Sequence, residues 1–432
     1  MKNKFIKSTL ILIIGGFFTK MLGMIIKIVL TRLIGTEGIG LYSMIMPTFM
    51  LLNSIAGLGL PTALNVLIAS DKYSTKNLVF TSILISLSID ILIILFLIAS
   101  CNFLSTNLLN DSRLTLGLLS IGFVLPFITI SNCLRSYFFA KQRMYPHVIT
   151  NIIEDLVKLI FIIIGIPFFL SKGIEYAIAF IILSNIFCEL SSIIIFIFLI
   201  PNFKCDKKEL IPNKKNIKEL FKIALPTTGS RLIGSIGYFL EPIIITFVLL
   251  KIGYTNNFIV NEYGIINGYV MQLVLLPSFF TGAISQALIP IVSKSYTKGN
   301  FKYISKKIKQ AIFFCLLIGI PATIIFELFP DVLLKFLFNT NKGINYIKVI
   351  APICLLHYIQ SPISSSLQAM GSAKISMTGT LIGMILRTLT LFIVSFFEIG
   401  LWSLLIATSI NIVFVTLFDL YNVRKILKKH PS

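Results

Sequence analysis

Long apolar stretches recur along the whole chain, and they constrain its fold more than any other feature. Each is about 20 residues long, which is the length of helix that crosses the hydrocarbon core of a bilayer. Of the 432 residues, 56% are hydrophobic and only 13% are charged. Because a bilayer cannot hydrate backbone polar groups, such stretches must form helices. The pattern predicts an all-α membrane protein with about 12 transmembrane helices.

The predicted spans form two sets of six, separated by the most polar segment of the chain. The first set lies near 8–30, 40–69, 78–99, 114–139, 148–170 and 174–200. The second set lies near 219–250, 262–290, 310–329, 346–369, 376–396 and 399–421. We therefore predict an N-terminal lobe at 1–200, a cytoplasmic connector at 201–218, and a C-terminal lobe at 219–432 that ends in a short basic tail.

The two halves resemble each other in sequence. Residues 40–70 align without a gap on residues 264–294, and residues 136–158 lie over residues 365–387, which places Lys158 on Arg387. Repeats with an even number of spans run parallel and are related by an axis along the membrane normal. This duplication predicts two pseudo-symmetric six-helix lobes around a central cavity.

The basic residues are distributed unevenly between the two sides of the membrane. The net charge is +21, and most of the 38 lysines and arginines fall on one side if the N-terminus is cytoplasmic. The positive-inside rule then places both termini in the cytoplasm. Basic loops of this kind lie against an anionic inner leaflet. We therefore expect the lipid bilayer as a partner and no nucleic acid.

Five basic residues lie well inside predicted spans, where a charge costs roughly 2.5–3.5 kcal/mol and must face protein or a water-filled cavity. Lys20 and Lys27 are seven residues apart and share a helix face. Lys27 is near the outer end, so it could also snorkel. Arg231 and Arg387 have no acid within reach on their own helices. All three mid-span groups, Lys20 and the two arginines, are expected to face a cavity or an acid on another helix.

Lys158 and Arg135 allow more than one interpretation. Glu154 precedes Lys158 by four residues, which is the favourable order for a helical ion pair. Lys158 could therefore pair with Glu154 or contact a ligand, and both options remain open. Arg135 lies near the end of its span and is expected to snorkel.

Three acids are predicted to be buried within spans: Asp90, Glu189 and Glu241. Each could bind a coupling proton or Na⁺, or could neutralise one of the arginines, and the second role is favoured. The surplus of positive charge suits a phosphate-bearing substrate. The chain has no Walker A, HExxH or GxSxG motif, and its cysteines and histidines lack metal-ligand spacing. We therefore predict no enzyme activity, no catalytic residues, no metal and no cofactor beyond a possible coupling ion.

Several motifs resemble one known family. They are "TKMLGMIIKIVLTRLIGTEGIGLYSMIMPTF" at 19–49, "GLP" at 59–61, "IIEDLVK" at 152–158 and "SRLIGSIGYFLEP" at 230–242. They resemble the stage V sporulation protein B family of the multidrug/oligosaccharidyl-lipid/polysaccharide (MOP) exporter superfamily. The resemblance implies an alternating-access flippase in the bacterial plasma membrane. Its substrate would be an undecaprenyl-pyrophosphate-linked oligosaccharide, such as lipid II for the spore cortex, and cell-wall synthesis enzymes are possible partners.

The resemblance also bears on individual residues. The related lipid II flippases hold pyrophosphate with basic cavity residues, and Lys20 falls on one of these. A second is replaced by Ile26 with Lys27 beside it, and a third position, around Leu51, is apolar. The chain ends after span 12, without the two extra helices of those flippases, and their span-11 sodium-site carboxylate has no evident match. The predicted substrate contacts are Lys20, Lys27, Lys158, Arg231 and Arg387.

Two other functions are compatible with the same spans. A MATE-type multidrug or cation antiporter would need an acidic cavity, which the excess of intramembrane cations disfavours. A membrane scaffold of a wall-synthesis complex would tolerate changes at the cavity residues but would fail when its cytoplasmic loops are altered.

Overall fold

Helices make up nearly all of the described chain. The computed structural model describes residues 2–70, 73–141, 143–200 and 212–428, apart from the side chains of residues 2–14, 215 and 230. No strand occurs within these ranges. The first part of the predicted connector, residues 201–211, lies outside the described residues.

The predicted spans of the first half lie on helices, but span 2 (40–69) is divided between α1 and α2 by a turn at residues 58–59. The helices are α1 (Lys2–Gly57), α2 (Leu60–Ala69), α3 (Thr75–Phe103), α4 (Thr115–Ala140), α5 (Met144–Leu170) and α6 (Ile174–Leu199). Spans 1 and 2 are separated inside α1 at Gly35, whose backbone is non-helical with φ 67° and ψ −171°. Since φ values in this range strongly favour glycine, Gly35 allows the chain to end one membrane segment and begin the next.

The second half follows the same pattern with more interruptions. Its helices are α7 (Lys214–Lys251), α8 (Asn256–Gly264), α9 (Met271–Val274), α10 (Ser278–Thr297), α11 (Phe301–Leu328), α12 (Pro330–Phe338), α13 (Ile344–Ala369), α14 (Ala373–Val394) and α15 (Trp402–Lys428). Predicted span 8 is bent by 52° between Val274 and Ser278. The short helix α12 on the connection to α13 was not predicted.

Eight helices of the described residues are long and apolar enough to cross a membrane, or nine if the bent segment is one span. This count is lower than the predicted 12. The helix α5 is largely apolar, and its three charged residues, Glu154, Asp155 and Lys158, lie within five residues of one another. The chain is therefore an all-α, multi-pass membrane protein in which one of the predicted spans carries a concentrated group of charges.

The contacts divide the chain into two compact units, Met1–Pro242 (unit 1) and Ile243–Ser432 (unit 2). The boundary lies inside α7 because the first part of that helix packs in unit 1. Asn216 of α7 donates to the Asn77 side chain at 2.6 Å, and Leu220 is fully buried in a cluster with residues of α2 and α4. The predicted lobe boundaries, which rest on the duplication, remain a prediction.

The turn between α1 and α2 depends on Gly59. Its φ of 61° is left-handed, and a Cβ at this position would lie 2.6 Å from the Ala224 carbonyl oxygen of α7. Gly59→Ala is expected to destabilise the protein by about 2–4 kcal/mol, because left-handed strain costs about 1–2 kcal/mol and overpacking adds about 1–3 kcal/mol. The melting temperature in detergent measures this loss. Gly57→Ala is the control, since its added Cβ meets no atom within 4 Å; an equal loss in both variants would contradict the steric argument.

Unit 2 is built around α13, which packs against α10, α11 and α15. Two helices pack closely at Gly379 and Gly383. A Cβ at Gly379 would lie 2.5 Å from the Phe418 ring, and one at Gly383 would overlap Val415, so α14 approaches α15 closely at both glycines. Without a hydrophobic driving force between helices in lipid, such close contact between small residues supplies the attraction.

Candidate functional site

Three lysines of unit 1 lie close together. Lys20 and Lys27 are on α1 and Lys158 is on α5, and these two helices pack against each other. The ammonium group of Lys27 is near enough to those of Lys20 and Lys158 to be repelled by both. Lys20 and Lys27 are exposed at the surface of the unit, whereas the neighbouring Ile26 is buried. The three side chains thus form a cationic group outside the packed core, which we call the lysine cluster.

Lys158 is held by an amide of the next helix. Its Nζ donates to Asn185 Oδ1 of α6 at 2.9 Å. The Asn185 amide nitrogen in turn donates to the Ile182 carbonyl oxygen at 2.7 Å, which fixes the side chain. Of the two options for Lys158, the structure does not form the pair with Glu154. Lys158 therefore forms no ion pair with a described residue, and Asp155, a second acid on α5, lies within electrostatic range of both Lys158 and Lys20.

Glu154 is engaged elsewhere. Its Oε1 accepts from Arg135 Nη2 of α4 at 2.6 Å and from the Ser192 hydroxyl of α6. Both charged side chains are mostly buried, with 20% of Arg135 and 17% of Glu154 exposed. The expectation that Arg135 simply snorkels is therefore wrong, because α4, α5 and α6 meet around it. Glu189 of α6 lies within electrostatic range of both Arg135 and Glu154.

Arg231 is the fourth cation of unit 1 that was predicted to contact substrate. It lies on α7 and is exposed, and its Nη2 is 3.3 Å from the Thr62 hydroxyl of α2. One turn further on, Ser235 is hydrogen-bonded to Ser54 of α1 at 3.0 Å. Arg231 therefore lies where α1, α2 and α7 meet. No described acid forms an ion pair with it.

Arg387 lies in unit 2. Its side chain is half-buried on α14, and Nη2 is 3.5 Å from the Thr408 hydroxyl of α15. Lys158 has equivalent surroundings in unit 1. Each of these two cations lies on the fifth predicted span of its half and donates to a polar side chain on the sixth span. This correspondence agrees with the predicted alignment of Lys158 on Arg387.

The acids differ in their surroundings. Asp90 is 0% exposed on α3 and Glu241 is 5% exposed on α7. Sequence reasoning missed a further acid, Asp419 of α15, which is 0% exposed and accepts from the Ser364 hydroxyl of α13. It lies within the last predicted span, 399–421. Among the described residues, no three His, Cys, Asp or Glu side chains are grouped to hold a metal ion.

Two protein-family models match the chain. The polysaccharide biosynthesis protein model covers residues 5–296, and the MatE model covers residues 233–393. The two matches together span both units.

Curated relatives match over most of their length. Stage V sporulation protein B of Bacillus subtilis (strain 168) is 34% identical over 99% of this chain and 85% of its own. Sporulation protein YkvU of the same organism is 25% identical over 86% of this chain and 84% of its own. Its lipid II flippase MurJ is 21% identical over 90% of this chain and 76% of its own.

Solved structures show the same fold. An inward-facing multidrug resistance MATE family transporter of the MOP superfamily matches with a TM-score of 0.76 at 17% identity, over 96% of both chains. An outward-facing structure of such a transporter matches with a TM-score of 0.66 at 16% identity, over 100% of this chain and 97% of that one. The chain therefore has the two-lobed MATE fold. With its full-length similarity to Stage V sporulation protein B, it belongs to the polysaccharide biosynthesis protein family and is a membrane transporter of the MOP superfamily, not an enzyme.

Proposed function

We propose that this transporter is a flippase that moves an undecaprenyl-pyrophosphate-linked oligosaccharide, lipid II or a related wall precursor, from the inner to the outer leaflet of the bacterial plasma membrane. The lysine cluster carries this proposal. Three ammonium groups that repel one another inside predicted membrane spans are stabilised when an anion with several charged oxygens joins them. Pyrophosphate is such an anion, and relatives include a protein named as a lipid II flippase.

Arg231 extends the positive charge of unit 1 beyond the lysine cluster. Its planar guanidinium suits bidentate contact with phosphate oxygens. Arg387, in unit 2, carries the same guanidinium group and is a proposed substrate contact. We propose cytoplasmic termini, as the positive-inside rule requires, and a role in the spore cortex, as the similarity to two sporulation proteins suggests.

A reconstituted flipping assay tests this function. Purified full-length protein in liposomes is given lipid II, undecaprenyl phosphate carrying the same glycan, or a neutral glycolipid. Transfer is followed by the access of a membrane-impermeant enzyme to the head group. We expect transfer of lipid II to be fastest by about tenfold or more, since the second phosphate adds charge-assisted hydrogen bonds worth about 1.5–3 kcal/mol. Equal rates for the charged and neutral lipids would contradict the proposal.

The MatE match makes a multidrug antiporter the second candidate. Organic cations would meet the lysine cluster unfavourably, so we expect no efflux of ethidium from the same liposomes. Ethidium efflux that is lost in Glu241→Gln, together with no movement of lipid II, would favour the antiporter.

A further inference from the structure

Asp90 is the most isolated charged group in the described part of unit 1. It lies in the middle of α3 and is 0% exposed. The Thr129 hydroxyl of α4 donates to Oδ2 at 2.6 Å. The other oxygen, Oδ1, is buried and accepts no hydrogen bond from any described residue. A buried carboxylate with an unsatisfied oxygen is a costly arrangement, because an ion needs a partner for each lone pair it takes out of water.

No described cation balances Asp90. The helices with the most contact with α3 are α1, α2 and α4, and α2 carries no charged residue, while α7 reaches α3 at Asn77 in its first turn, far from Asp90. The described charged residues on α1 and α4 are Lys20, Lys27, Arg32, Glu37 and Arg135. None of them forms an ion pair with Asp90: Arg135 binds Glu154, and Glu37 binds Arg113. The titratable group that does lie near Asp90 is the Cys133 thiol of α4, which is hydrogen-bonded to Ser86.

The fold does not require an acid at this position. The third helix of each half, α3 and α11, buries a row of residues at successive turns. The row in α3, taken from its ten buried residues, is Leu78, Ser82, Ser86, Asp90, Ile93, Leu97 and Cys101, and the row in α11 is Ile304, Ile308, Ala311, Cys315, Gly319, Thr323 and Phe326. The fourth position is Asp90 in one half and the fully buried Cys315 in the other. Because a small thiol fills the corresponding position, packing alone does not explain the carboxyl group.

We propose that Asp90 is a proton-binding site whose protonation is coupled to the transport cycle. The proton forms an O–H bond on Oδ1, which removes the unbalanced charge while Oδ2 keeps the hydrogen bond from Thr129. The proton comes from water and returns to water. This inference takes only the identity of the transported substrate from the proposed function. The proton site itself is formed by α3 and α4.

The packing around Asp90 links its protonation to movement of α3 relative to α4. One turn along, Gly122 of α4 lies against Ile94 of α3, where an added Cβ would be 3.2 Å from Ile94 Cγ1. Since Asp90 is sealed from solvent here, a proton can enter or leave only when α3 and α4 separate at this level. Protonation and helix separation are therefore thermodynamically linked.

Infrared difference spectroscopy on the full-length protein tests the site without any transport. At mildly acidic pH we expect the carbonyl stretching band of a buried protonated carboxylic acid, which should weaken as the pH is raised. Asp90→Asn should lose intensity from this band, Asp331→Asn, the exposed-acid control, should keep it, and Thr129→Val, which keeps the acid but removes its donor, should shift its frequency. Because Glu241 and Asp419 are also buried acids, the comparison is with the wild type, and an unchanged band in Asp90→Asn would overturn the proposal.

A transport measurement tests the coupling. A pH gradient imposed on lipid II-loaded liposomes should change the initial flipping rate of the wild type at least threefold, and Asp90→Asn should abolish this response while lipid II binding stays unchanged. Asp331→Asn should respond like the wild type. A response to a Na⁺ gradient instead, or a pH response retained in Asp90→Asn, would overturn the coupling. If the wild type moves no lipid II, the proposed function fails, and the infrared band still decides whether Asp90 holds a proton.

Discussion

Replacing Lys20, Lys27 and Lys158 together by glutamine is expected to abolish lipid II flipping, to below about one-thousandth of the wild-type rate. Each lysine is expected to give the pyrophosphate a charge-assisted hydrogen bond worth about 1.5–3 kcal/mol, and each 1.4 kcal/mol is a factor of about ten. Lys27 is repelled by Lys20 and Lys158, whereas Asp155 attracts Lys20 and Lys158, so we expect the variant to keep a stability close to that of the wild type. The initial flipping rate and the melting temperature, measured on the same preparation, separate the two effects.

The single variants rank the three positions. Lys20→Gln and Lys158→Gln should each slow flipping roughly ten- to a hundredfold, with a smaller effect for Lys27→Gln if its ammonium group snorkels to the interface. Lys307→Gln is the matched control: this half-buried lysine of α11 donates to Gln310 at 2.9 Å and lies outside the cluster. If the triple variant still flips at a rate within threefold of wild type, the pyrophosphate does not bind at the lysine cluster.

Arg135→Met is expected to destabilise unit 1 by about 3–5 kcal/mol. Removing one partner of a buried ion pair leaves the other charge uncompensated, and here that charge is Glu154, which keeps the Ser192 hydroxyl as a donor. The loss is large against the roughly 5–15 kcal/mol that stabilises a typical domain. A lower melting temperature in detergent and a lower yield of monodisperse protein should both report it.

Two further variants identify the cause of this loss. In the double variant Arg135→Met, Glu154→Gln, most of the stability should return, because neither charge is then left alone. Arg231→Met makes the same substitution at an exposed arginine with a single 3.3 Å contact, and should change the stability by less than about 1 kcal/mol. A double variant as unstable as Arg135→Met alone would show that the loss comes from the changed shape of the side chain and not from the unpaired charge of Glu154.

The positions of the helices could be predicted because a bilayer imposes both a length and an apolar composition on each span. The break at Gly35 fell correctly between two predicted spans for the same reason. The 52° bend within span 8 could not be predicted, since the segment is apolar on both sides of the bend and hydropathy does not change there. The short helix α12 was missed because it is too short to cross a bilayer.

The partners of the charged side chains were harder to predict. Local spacing suggested Glu154 for Lys158, but α6 packs against α5 and brings Asn185 to the lysine, while α4 brings Arg135 to the glutamate. Such contacts depend on helix rotation and on neighbours distant in the chain, which single-helix patterns do not contain. Asp419 was overlooked for the same reason: only the packing of α13 against α15 shows that its carboxyl group is buried.

The cations differ in the kind of partner to which they are bonded. The partner decides how readily each cation can bind a phosphate ligand instead. Arg135 is bonded to a carboxylate, so an incoming phosphate would have to displace one anion with another at no electrostatic gain. Lys158 is bonded to the amide oxygen of Asn185, and Arg231 to the hydroxyl of Thr62. Phosphate is a stronger acceptor than either group, so exchange at these two residues is favourable and leaves no charge behind. The neutral side chains of Asn185 and Thr62 thus hold their cations in place while leaving them available to a ligand.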